Sequence, residues 1–321
     1  MQAVAQRLVI VLLLAWCPAM GQVQTFPNGP INIVVPLAPG DAADATVRLL
    51  AEQIAKTLQA SVAVTNRPGA GGALGTNAVV QAKKDGQTIL FAQNSALTFR
   101  PVIEPQAVAY DTVRDLMPLG ISSRTPSVLV VRSDSPYRTL ADLIEHAKKD
   151  PDGVRIGHPG AGSVGDFCIQ LINALTGARL LAVPYVGASP AVTALRGEHI
   201  EGVVLALGAL STQIKAGAFR GIVASSRVPE LPELRTMREL GYPDELFGIW
   251  FSFLAPAGIP EDARKALVDA IEQAVKTPGI AATLAPLGIL QSYATPEKQT
   301  AETRDELKRV SELAKRTGLV K

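Results

Sequence analysis

Apolar and polar positions follow two alternating rhythms along the chain. Short apolar runs of strand type, INIVVP at 31–36, VAVT at 62–65 and TILF at 88–91, are separated by stretches with helical spacing. Between 45 and 58, Val47, Leu50, Ala51, Ile54, Ala55 and Leu58 fall on one helix face, and 73–84 has the same character. The rhythm recurs downstream, where strands at 154–157, 180–184 and 202–206 frame helices at 164–176 and 190–196. The tail reads as helical over 261–276, 279–287 and 296–317, with Pro260 and Pro296 at helix starts. Such alternation predicts an α/β protein of doubly wound sheets, with parallel strands and helices on both faces.

Two phrases echo one another. PLGISSR at 118–124 leads into SVLVVR at 127–132, and GIVASSR at 221–227 is followed, after an insert, by WFSFLA at 250–255. Each pair reads as the last parallel strand of one lobe followed by a strand that crosses to the other. Two crossings predict two lobes joined by a two-strand hinge. Lobe one is expected at 22–124 plus 245–321, and lobe two at 125–244.

The first 21 residues break the rhythm. Arg7 precedes an apolar run over 8–16, and Ala19 and Gly21 form a small-x-small site, the three parts of a secretory signal peptide. The run is shorter than the ~20 residues that span a bilayer. Cleavage is expected after Gly21. Acylation at Cys17 is the competing outcome, and bulky Trp16 directly before it weighs against it. The expected compartment is the periplasm. Removal of Cys17 leaves Cys168 alone, so no disulfide is expected within the chain. Its apolar neighbours Phe167, Ile169, Leu171 and Ile172 point to a buried, inert thiol. A net charge of +2, spread along the chain with no basic run, argues against a nucleic acid partner.

Chemistry-bearing residues gather where strands feed helices. LAPGDAAD at 37–44, NRPGAGG at 66–72, HPGAGS at 158–163 and PYVGASP at 184–190 all follow strands. In open α/β sheets ligands sit beyond the carboxyl ends of the strands, where helix N-termini favour anions. Each turn taken alone also serves as a tight connection; their shared position points to a cleft. The glycines at 69–75 have the wrong spacing for a dinucleotide loop, and no Walker-type Gly-Lys-Ser/Thr occurs. His146, His158 and His199 lie far apart in sequence, which argues against a zinc centre. Ser163, in GAGSVG, lacks the glycine spacing of a nucleophile elbow. No catalytic activity, metal or cofactor is expected.

The same loops carry a family resemblance. IVVP at 33–36, Pro39-Gly40 with Asp44, RLLA at 48–51, NRPGAGG at 66–72, GAGS at 160–163, VPY at 183–185 with Gly187, and LAPAG at 254–258 run in order through the chain. In this order they resemble the Bug-type receptors of tripartite tricarboxylate transporters, periplasmic binding proteins of the type II fold. The resemblance implies capture of a small organic solute, expected to be a carboxylate, between the lobes, and delivery to membrane permease subunits. A periplasmic sensing module is the alternative with the same cleft. The implied contacts are Leu37, Gly40, Asp41, Ala42, Ala43, Asp44 and Asn94 from lobe one. Lobe two is expected to add Gly160, Gly162, Ser163, Asp166, Tyr185 and Gly187. A monomer is expected.

Departures from the family pattern matter. Asp41 stands where the family has glycine, Asp166 where it commonly has histidine, and Leu205 where an acid is often found. If Asp41 and Asp166 face the cleft, their charges turn it against polyanions and toward zwitterions; otherwise they point to solvent or cap a helix. Asp44 is open to two roles, helix cap or ligand contact. Tyr185 is equally open, as cleft wall or core residue. Arg48 is expected to point away from the loop.

Overall fold

The computed structural model describes residues 26–40 and 42–320. The expected signal segment and Asp41 lie outside the described residues. Eleven strands are present among the latter: β1 (Ile31–Val35), β2 (Val62–Asn66), β3 (Thr88–Gln93), β4 (Leu116–Thr125), β5 (Ser127–Arg132), β6 (Arg155–His158), β7 (Leu181–Pro184), β8 (Gly202–Ala206), β9 (Phe219–Ala224), β10 (Ile249–Pro256) and β11 (Leu290–Ala294). They form a six-stranded sheet, β11-β4-β10-β3-β1-β2, and a five-stranded sheet, β7-β6-β8-β5-β9.

The two sheets repeat one topology. β1 pairs in parallel with β2 and β3, and β6 in parallel with β7 and β8. Next in each sheet comes an antiparallel strand, β10 against β3 and β4, or β5 against β8 and β9. These are the strands that cross between sheets. The sheets are therefore mixed rather than purely parallel, as the alternation alone had predicted. The antiparallel members are the strands that enter a sheet from the other one: β5 follows β4 of the first sheet after Pro126 alone, without the crossover helix that joins parallel neighbours.

Helices follow the apolar stripes. α1 (Ala42–Leu58) buries Val47, Leu50, Ala51 and Ile54 against the first sheet. α2 (Ala73–Val80) ends four residues before its predicted limit. α3 (Leu140–Lys149), which the alternation did not flag, starts at a Thr139/Asp142 capping box. α4 (Val164–Thr176) ends at left-handed Gly177. α5 (Ala188–Arg196) begins two residues before its predicted start. α6 (Glu261–Val275), α7 (Pro278–Leu284) and α8 (Pro296–Arg316) complete the tail.

An aromatic cluster joins the sheets at the base of the cleft. Phe99 follows β3, Phe167 lies on α4 and Phe247 precedes β10. Their rings meet edge to face at 5.1–5.5 Å, a favoured aromatic geometry. Ser127 Oγ donates to the Phe247 carbonyl at 2.6 Å, beside Cys168 Sγ. The Cys168 side chain is fully buried, and desolvation pushes its thiol up to about 11. A disulfide-exchange reagent at pH 8 is expected to leave Cys168 unmodified in the folded protein and to modify it fully in urea. Mass spectrometry of the Cys168 peptide checks this, and rapid native labelling would contradict the packing described.

Candidate functional site

Two short sequences build the walls of the cleft with one device. In the loop after β1, Gly40 has φ +80° and its N–H donates to Asp44 Oδ2 at 3.0 Å. In the loop after β6, Gly162 has φ +70° and its N–H donates to Asp166 Oδ2 at 2.9 Å. In each case a left-handed glycine is tied to a carboxylate four residues later. Left-handed backbone is the conformation in which glycine escapes a Cβ penalty. The carboxylates fix the curl of the chain as it enters α1 and α4.

The Asp44 brace is itself held. Arg48 donates to both carboxylate oxygens, at 3.1 and 3.0 Å, and Asn66 Nδ2 donates to Oδ1 at 2.9 Å and to the Leu37 carbonyl at 3.1 Å. Arg48 therefore faces the loop, contrary to the expectation from helix register, because its long side chain turns back one helical turn. Burial raises the Asp44 pKa, but donors from Arg48, Gly40 and Asn66 outweigh it and hold the carboxyl below its ordinary value.

The second loop is anchored to the first lobe's strand ends. Ser163 is buried and its Oγ accepts from the Asp166 N–H at 3.1 Å, which makes Asp166 part of the α4 cap. His158 is also buried. Its Nδ1 contacts the Gly160 carbonyl at 2.9 Å and its Nε2 lies 3.9 Å from Asp166 Oδ1; burial, partly offset by that carboxylate, holds its pKa below the ordinary histidine value. No hydrogen bond joins His158 to Ser163. Across the interface, Ser95 Oγ accepts from Val164 N at 3.2 Å, and Arg100 donates to the Ala161 carbonyl.

A cavity of about 470 Å³ opens between the sheets. Gly40, Ala45 and Ile289 line one side. Ala188, Ser189, Val192, Thr193 and Arg196 of α5 line the other, with Gly208, Ala209 and Gln213 beyond them. Gly187 is the N-cap of α5 and supplies no side chain, so the first N–H groups of that helix have no side-chain cap.

Expected contacts divide accordingly. Gly40 lines the cavity and Gly187 adjoins it. Leu37, Gly160, Gly162 and Ser163 shape the loops, and Ala42 opens α1. Ala43 is fully buried in the core. Asp44 and Asp166 each accept from a backbone N–H at a helix start, and neither is among the cavity's lining residues. Tyr185 is half-buried, with its ring beside Gly157 and against the second sheet's core. Asn94 is corrected: it is fully buried, with Nδ2 on the Gly248 carbonyl and Glu306 and Oδ1 accepting from Trp250 N. Asp41 lies outside the described residues. The α5 stripe went unseen although 192, 193 and 196 lie within the helix expected at 190–196, because nothing in the sequence marks that face as lining a cavity.

A family model described as "Tripartite tricarboxylate transporter family receptor" matches residues 46–319. The chain belongs to that receptor family. BugT of Bordetella pertussis (strain Tohama I) is 31% identical over 296 residues, 92% of this chain and 91% of BugT. The solved periplasmic binding protein BugD superposes with a TM-score of 0.85 at 30% identity, covering 92% of this chain and 99% of BugD. R. palustris Rpa4515 with adipate superposes with a TM-score of 0.85 at 25% identity, covering 91% and 98% of the two chains. This chain is thus a Bug-type receptor with the two-lobed type II periplasmic-binding-protein fold, and a solute-binding protein.

The brace in this receptor predicts a pH signature. The depressed Asp44 pKa stabilises the fold fully above the unfolded carboxylate value of about 3.9, and the gain is lost as pH falls through the lower folded value. Asp44→Asn is expected to be about 1–3 kcal/mol less stable at neutral pH. The difference from wild type should shrink only below about pH 4. Urea unfolding at a series of pH values checks this; an equal stability at pH 7 would contradict it.

Proposed function

We propose that this receptor captures a small organic carboxylate in the cavity between Gly40 and α5 and presents it to the membrane subunits of a tripartite transporter. The observation that carries the reading is the cavity's lining. It brings together a braced glycine loop leading into α1 and the side-chain-uncapped N-terminus of α5, with no acid among the described lining residues. Helix N-termini favour anions by about 0.3–1 kcal/mol each at exposed sites. Family membership and the adipate bound by Rpa4515 support a carboxylate.

The same reading divides the chain into a signal segment at 1–21, lobe one at 22–124 plus 245–321, and lobe two at 125–244. It places the mature protein in the periplasm as a monomer, without catalytic activity or cofactor. Of the two acids expected to turn the cleft against polyanions, Asp166 accepts from the Gly162 N–H at the start of α4 and is not among the cavity's lining residues.

A thermal-shift screen tests the proposal with mono-, di- and tricarboxylates, amino acids and neutral sugars. A carboxylate at a hundred times its dissociation constant should add about 2.7 kcal/mol of stability. Gly40→Val, which places a β-branched residue at φ +80° on the cavity wall, is expected to lose that shift while remaining folded. Stabilisation by sugars alone, or carboxylate binding unchanged in Gly40→Val, would refute the assignment.

A further inference from the structure

We propose that Arg196 makes the far end of this cavity a site for a second anionic group, so that the solute is an elongated dianion of the dicarboxylate class. The inference rests on the reading of the cavity as the solute site. It goes further by assigning a charge requirement and a specificity-determining residue.

The geometry begins with α5. Ala188, Ser189, Val192, Thr193 and Arg196 all line the cavity, and their spacing puts them on one stripe of the helix. Eight residues separate the first from the last, about 12 Å at 1.5 Å per residue. The cavity therefore runs along the helix rather than sitting at one end of it.

Positive potential marks both ends of this stripe. At the near end, α5 has no side-chain N-cap, so its first N–H groups and the helix dipole are available to a carboxylate. At the far end stands Arg196, the sole charged side chain among the described lining residues. Between them lie Val192 and Thr193, and the Thr193 hydroxyl is turned onto the Ser189 carbonyl at 3.1 Å. A mostly apolar middle between two cationic ends suits a methylene chain between two carboxylates.

Arg196 is exposed and, of the arginines described, the one that lines this cavity. Arg124 is paired with Glu302, Arg155 with Glu201 and Arg264 with Glu261. Arg196 has no hydrogen bond or ion pair with any described residue, and its planar fork matches a carboxylate in bidentate fashion. A further cavity, about 400 Å³ at the hinge, mixes Glu245 and Glu306 with Arg124 and Arg309 and lacks this one-signed character.

A matched pair of probes tests the proposal: adipate, and hexanoate, which has the same chain length and one carboxylate. Calorimetric titration of the wild type should give adipate at least a tenfold tighter Kd than hexanoate. Arg196→Gln should weaken adipate by about 10- to 100-fold and bring the two affinities close together. Arg196→Lys, which keeps the charge without the fork, should recover part of the preference. Circular dichroism confirms that the variants fold. A preference for adipate retained in Arg196→Gln, or a wild type that binds hexanoate as well as adipate, would overturn the role of Arg196 and leave the carboxylate reading standing. A folded wild type that binds neither probe would overturn both.

Discussion

A glycine N–H donated to a carboxylate four residues later is the interaction on which the cleft depends. Gly40 with Asp44, and Gly162 with Asp166, perform it once in each lobe. Without it, each loop would lose a part-buried, charge-assisted hydrogen bond at a helix start, worth about 1.5–3 kcal/mol. The price of the device is that both acids are committed to structure. Neither lines the cavity, where Arg196 is the charged side chain among the described lining residues.

The repetition of the brace matches the repetition of the sheets. Each lobe places its central strand between two parallel neighbours and adds the crossing strand antiparallel in the same slot. The loops after β1 and β6 are thus topological equivalents. The interlobe contacts are less symmetric. Phe99, Phe167 and Phe247 pack together at the base, where Ser95 and Arg100 also reach the loop before α4. These contacts tie the α4 end of lobe two to lobe one, whereas α5 faces Gly40 across open space.

Much of this was legible in the chain. The 3.6-residue stripes of α1 and α4 and the apolar runs of β1, β3 and β8 announce themselves, because one buried face needs one periodicity. The echo at 118–132 and 221–255 correctly marks the strands that cross between sheets. Strand direction was not legible, since an apolar run carries no mark of its direction and the partners of β5 and β10 lie far along the sequence. The fates of Asp44 and Asp166 were undecided for a related reason: composition cannot tell an acid that caps a glycine from one that faces a solute. Asn94 misled because its position just after a strand in a sheet resembles a cleft position, while its neighbours Glu306 and Trp250 come from far along the sequence. Arg196 was hidden for another reason: it lies at the end of an expected helix whose sequence does not show which face meets the other lobe.

The most direct test of the account is a crystal structure with adipate bound. The account predicts one carboxylate near Gly40 and the N-terminus of α5, the other at Arg196, and both aspartates still bonded to Gly40 and Gly162. Adipate seated in the hinge cavity beside Glu245 and Arg309, or a bound state in which Asp44 or Asp166 has left its glycine, would contradict it.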